Sequence, residues 1–350
     1  MPGGATRAIV EVVIRGSVVV AAVEAGAGVV EVESVVDGAP WRVQATTERA
    51  RTRNLARDTD DSVSEAQGNL KTVVRVRRVR RLTHLQRWFD FSLPSNRYVF
   101  IASGIAGVAM FGWRVSQDPV GAAAGAGLNT AMTAFLSWVL ARELDPDRTI
   151  TAAWALPAGA TVTAFLGAGA LLPLYLLAMT SRLLARTTGL PPTTPDLIFN
   201  GLVAVVAARH TAGWAVGLAF AFALARDAGL SNPAPRRQMV WSLGVAAAVT
   251  AVATWQGLEF SAPPAPAVSI ALAGLIAGWT LPVESPNSVA DLTFFPLDGY
   301  RLRSARRTAL AALVLAGLTG GGEGLVPLAP GWLTLLATGV ISRLRTADRP

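Results

Sequence analysis

Arg142-Glu143-Leu144-Asp145-Pro146-Asp147-Arg148 is the sharpest polar cluster in this chain. Asp145 and Asp147 can turn both carboxylates toward one divalent cation, and Mg²⁺ is commonly held by one or two carboxylates plus substrate phosphates. The flanking Arg142 and Arg148 can grip phosphate oxygens through paired N–H donors. The chemistry expected of this set is Mg²⁺-assisted work on a phosphate-bearing or lipid-linked substrate, with Asp145, Asp147 and Arg148 as catalytic candidates. The competing reading is a turn between two helices. Asp-Pro-Asp favours a chain reversal, and Asp147 is placed to cap the next helix. A lone Asp-x-Asp is a weak motif, and no second acidic motif of similar density follows it.

A second candidate lies in residues 282–307, which contain Asp291, Asp298, Tyr300, Arg301, Arg303, Arg306 and Arg307. Arginines beside Asp298-Gly299-Tyr300 suit an anionic substrate or a lipid headgroup, so Asp298, Arg301 and Arg303 are binding candidates. Leu292, Phe294, Phe295 and Leu297 give the same stretch the character of an interfacial segment anchored on a bilayer. Polar residues inside the apolar blocks are fewer. Asn129, Thr133 and Ser137 recur every four residues and share one helix face, and Asp196 and Asn200 form a similar pair. Such faces serve interhelical hydrogen bonds or a solute path. Gly121 and Gly125 nearby favour packing for the first.

Several chemistries are excluded. There is no cysteine, hence no disulfide, thiolate metal site or cysteine nucleophile. His84 and His210 are the only histidines, too few for a multi-His metal site. Gly320–Gly324 (GGGEG) lacks the Lys-Ser/Thr of a phosphate-binding loop and reads as an outer turn. No Gly-x-Ser-x-Gly nucleophile elbow is present.

What must position these residues is a set of apolar helices. The chain has 350 residues, 52% hydrophobic and 15% charged, against about 25% charged in soluble domains. Apolar blocks cover 98–113, 120–140, 149–181, 197–225, 239–255, 267–281, 308–319 and 325–341. As one helix, 149–181 would run about 50 Å, too long for a hydrocarbon core of about 30 Å. A turn at Gly167–Gly169 divides it, and one at Arg209 and His210 divides 197–225. The expectation is an all-α, polytopic integral membrane protein of about ten spans in five hairpins, with eight spans plus re-entrant segments as the alternative.

From residue 98 onward, fourteen of the sixteen basic residues fall in alternate gaps; Arg114 and Arg209 are the other two. Cytoplasmic loops retain Lys and Arg, so this pattern places both termini in the cytoplasm of a plasma-membrane protein. Leu-Ala-Arg also closes three blocks, at 140–142, 184–186 and 224–226, where arginine complements the helix dipole.

Residues 1–70 read as a non-membrane N-terminal extension, either poorly ordered or a small β-rich domain. They show no signal-peptide pattern. Residues 71–97 form a basic juxtamembrane segment, 98–341 the multi-pass domain and 342–350 a short cytoplasmic tail. The net charge of +8 is expected to face anionic headgroups at the cytoplasmic surface, not nucleic acid. Three functions compete: a permease for a small or amphipathic solute, with Asn129, Thr133, Asp196, Asn200, Asp298, Arg301 and Arg303 on its path; a membrane enzyme using Asp145 and Asp147; and a non-catalytic membrane subunit.

Overall fold

The computed structural model describes residues 83–86, 91–167, 169–231, 233–257, 264–279, 286–291, 293 and 295–347, together with four strands between residues 7 and 46. The chain divides into two units, Met1–Arg78 and Val79–Pro350. The first carries an antiparallel meander of β1 (Arg7–Ile14), β2 (Ser17–Glu24), β3 (Val29–Val36) and β4 (Ala39–Thr46). Its register pairs Val12 with Val19 and Val32 with Val43. Runs of valine favour this pleated geometry because branching at Cβ restricts the side chain. Of the basic stretch from residue 71, only 83–86 and the residues from 91 lie among those described.

The second unit is all-helical, apart from one bridge between Val289 and Pro296, among the described residues. Its ten described helices are α1 (Pro94–Arg114), α2 (Val120–Leu144), α3 (Thr149–Leu166), α4 (Leu171–Ala185), α5 (Thr194–Ala207), α6 (Thr211–Gly229), α7 (Arg236–Gln256), α8 (Ala265–Trp279), α9 (Gly299–Leu325) and α10 (Ala329–Ala347). Four of them, α2, α3, α7 and α9, are long and apolar enough to cross a membrane. The uncharged run 149–181 breaks at Gly167, whose φ of +63° is open to glycine and strained for other residues. The run 197–225 breaks at residues 208–210.

One segment differs from the sequence expectation. Tyr300, Arg301, Arg303, Arg306 and Arg307 belong to helix α9, not to a loop, because Asp298 caps the helix by accepting the Tyr300 N–H at 2.8 Å. The expected turn at Gly320–Gly324 is present: the helical path of α9 is broken at Gly321 (φ 51°, ψ −122°), and the chain folds back on itself there. The glycines are needed there: a Cβ on Gly324 would lie 1.8 Å from the Ala316 carbonyl oxygen.

Helix α4 is the hub, packing against α2, α6 and α9. Leu174, Leu176, Leu177, Leu183 and Leu184 are all buried there, against Phe220 and Leu224 of α6 and Leu313 of α9. The outside is the reverse of a soluble surface: Ile105, Val108, Leu202, Val240, Leu243, Ile276 and Leu318 are all exposed. The helices alternate in direction. The ends of α2, α4 and α6 meet the starts of α5 and α9 at one end. At the other, the Ala170 N–H donates to the Pro327 carbonyl, joining the α3–α4 and α9–α10 turns.

Candidate functional site

The polar side chains concentrate at the end where α2, α4 and α6 terminate. Glu143, in the last turn of α2, is fully buried. Its Oε1 accepts from Arg182 Nε at 2.9 Å and Nη2 at 2.7 Å, and its Oε2 accepts from the Thr187 hydroxyl. The third guanidinium nitrogen donates to the Leu85 carbonyl at 2.6 Å. A buried charge survives only when paired and fully hydrogen-bonded, and this pair meets that condition.

Asp227, at the end of α6, makes the second pair. It accepts from Arg186 Nε at 2.9 Å and Nη2 at 3.1 Å, and also from Arg301 Nη1. Arg186 takes a left-handed backbone (φ 50°) to end α4. Arg301 reaches on to the Leu230 carbonyl at 3.0 Å, tying α9 to the turn after α6.

The residues of the Asp-x-Asp segment part company. Asp145 is buried and accepts from the Thr151 hydroxyl at 3.0 Å, with Arg148 at 3.5 Å. Burial pushes its carboxyl above the usual range, only partly offset by Arg148, the Thr151 hydrogen bond and Arg306. Asp147 is exposed and accepts from the backbone N–H groups of Asn287 (3.0 Å) and Ser288 (2.7 Å) and from the Ser288 hydroxyl. Partial burial alone would raise its carboxyl, but the Ser288 and Asn287 hydrogen bonds and Arg148 outweigh this and hold it low. Asp147 therefore pins the segment before α9, and the α3 N-cap is Arg148 without a side-chain cap. Among the described residues, no group of three or more His, Asp or Glu gathers as metal ligands.

Asp196 sits at the third position of α5, not at its cap. Thr193 is the cap, and the two residues form a capping box. Asp196 Oδ2 also accepts from the His84 N–H at 2.8 Å, so the segment ahead of α1 docks on this end. His84 Nδ1 lies 2.7 Å from the Pro191 carbonyl oxygen, and Leu85 is buried. Deeper in, Asn200 Nδ2 donates to the Asp196 carbonyl at 2.8 Å, and the Tyr175 hydroxyl donates to Asn200 Oδ1 at 3.1 Å. Asp196 Oδ1 is buried without a partner among the described residues.

The chain matches no protein-family model, no curated protein and no solved structure.

Asn129, Thr133 and Ser137 line a helix contact. A Cβ on Gly159 would lie 2.2 Å from Ser137 Oγ, and one on Gly169 would lie 2.5 Å from Thr133 Oγ1 and 3.0 Å from Asn129 Nδ2. Asp298 and Arg301 have the structural partners given above. Arg303 has none among the described residues, and it lines a groove of about 550 Å³ between α6 and α9, with Arg226, Tyr300 and Arg307 beside it.

Sequence reasoning missed Glu143, Thr187, Asp227 and Arg182. A signal for three of them was present. Leu-Ala-Arg is followed by Glu143, Thr187 and Asp227 in its three copies, and all three of those residues are buried. The arginine of the motif stands out as a helix-end charge, whereas the position after it enters the core.

Proposed function

We propose that this chain is a multi-pass membrane protein of ten spans in five hairpins, both termini cytoplasmic, acting as a permease for a small or amphipathic solute. Its ion-paired end lies at the cytoplasmic face, the side on which fourteen of the sixteen basic residues from 98 onward fall. The short helices fit this setting. At 15 residues α4 is about 22 Å long, less than a hydrocarbon core, but it is sheathed by protein on nearly every side.

The observation that carries the permease reading is the polar track from Asp196 through Asn200 to Tyr175. It leads from the polar end into an otherwise apolar body, beside an unsatisfied carboxylate oxygen. Interior polar groups in a membrane bundle commonly mark a solute path. Interrupted helices at Gly167 and Gly321 suit the same role. The enzymatic alternative draws less support, because Asp145 and Asp147 spend their lone pairs on separate protein donors.

Vesicles reconstituted with the full chain should take up radiolabelled octyl phosphate or inorganic phosphate faster than protein-free vesicles. Asn200→Leu should slow that uptake severalfold without reducing the amount of protein inserted. Uptake of both probes at the protein-free rate overturns the permease reading.

A further inference from the structure

The groove between α6 and α9 has a graded wall. On α9, Arg303, Arg307, Ala311 and Leu315 follow one another at four-residue steps and so share one helix face. On α6, Leu218, Phe222 and Arg226 do the same in the opposite direction. Because the two helices run antiparallel, their cationic ends coincide and their apolar ends coincide. The twelve helical steps from Arg303 to Leu315 span about 18 Å, a little more than half of a hydrocarbon core of about 30 Å. The groove is therefore about one leaflet deep.

The arginines here differ from those of the ion-paired network. Arg182, Arg186 and Arg301 spend their charge on Glu143 and Asp227. Arg303 Nε is buried without a partner, and Arg307 is exposed with no hydrogen bond or ion pair among the described residues. Arg226 has no acidic partner among the described residues. It donates to the Tyr300 hydroxyl and lies 5.4 Å from the centre of that ring, which holds it at the groove mouth. Ser304 adds a hydroxyl beside them. Nearby Asp227 is already saturated, and Asp298 is occupied by the Tyr300 N–H. The groove thus offers several planar donor forks above an apolar wall.

We propose that this groove binds a single anionic amphiphile with a phosphate headgroup. The phosphate sits among Arg226, Arg303 and Arg307, and the alkyl chain lies along Phe222, Ala311 and Leu315. Guanidinium forks match phosphate oxygens in pairs, and a low-dielectric wall strengthens each contact. The proposal rests on the membrane reading for the position of the groove and names the solute class of the permease.

The test uses the full chain, delipidated in a neutral detergent, with bound species counted by native mass spectrometry. Dodecyl phosphate and dioleoyl phosphatidic acid are expected to bind one per chain, and inorganic phosphate far more weakly. Binding of phosphatidic acid alone would name a bilayer lipid as the source, and equal binding of dodecyl phosphate a single-chain solute; both support the proposal. Arg307→Gln, at an exposed position, should weaken amphiphile binding roughly tenfold, the loss of one charged hydrogen bond. Ala311→Phe should block the amphiphile by filling the groove and leave inorganic phosphate unaffected. Equal affinity for inorganic phosphate, or unchanged amphiphile binding in Arg303→Gln, Arg307→Gln and Ala311→Phe, overturns the proposal. No transport is measured, so a failure of the permease reading leaves this result independent.

Discussion

Arg182 reaches Glu143 across 39 residues of sequence, setting two guanidinium nitrogens 2.9 and 2.7 Å from one carboxylate oxygen, with both side chains sealed from solvent. This pair joins the end of α4 to the end of α2. Removing one partner would strand the other charge in a buried site. Glu143→Leu is therefore expected to destabilise the protein by about 3–5 kcal/mol. Glu143→Leu with Arg182→Met should recover most of that loss, because an apolar pair leaves no charge behind. Denaturation of the purified protein in detergent measures both.

The two aspartates of the Asp-x-Asp segment should respond to pH with opposite sign. Asp145 is held above the ordinary carboxylate range by burial, so its stability contribution is full at low pH and is lost as pH rises through its raised value. Asp147 is held low, so its contribution is present above the ordinary range and is lost as pH falls through its lowered value. Asp145→Asn should be no less stable than the parent at neutral pH. Asp147→Asn should be less stable there and should lose part of the acid sensitivity. Melting temperatures between about pH 3 and pH 7 read both effects.

Gly189 predicts a backbone effect. Its φ is +81°, and a Cβ would lie 2.0 Å from Thr293 Oγ1. Gly189→Ala is expected to cost roughly 2 kcal/mol or more, combining left-handed strain with the clash. Adding Thr293→Ala should remove part of the clash and leave the strain of about 1 kcal/mol. Thermal melts of the two variants separate these contributions.

Much of the helical unit was readable from composition and punctuation. The 149–181 run could not be one helix of ordinary span length, and Gly167 marks its break because few other residues accept a φ of +63°. The start of α9 was not readable in the same way. An arginine-rich stretch looks like a loop until Asp298 is known to cap it. The site was harder still. Asp145 and Asp147 are separated by a single proline, yet one turns inward to Thr151 and the other outward to Ser288. Neighbouring side chains on a turn need not share a target. Glu143 and Asp227 looked like ordinary helix-end charges because their partners lie 39 and 41 residues away. Only the packing of α2, α4 and α6 brings those partners near.

In the proposed topology the ion-paired end faces the cytoplasm and α7 crosses the membrane away from it. The native chain has no cysteine, so single cysteines can be introduced without background. Ala234→Cys places a reporter at an exposed position just ahead of α7, and Gln256→Cys places one at the exposed last residue of that helix. In intact cells, a membrane-impermeant maleimide should label Gln256→Cys and should reach Ala234→Cys only after the membrane is opened. Labelling of Ala234→Cys in intact cells, or equal labelling of both, would overturn that orientation.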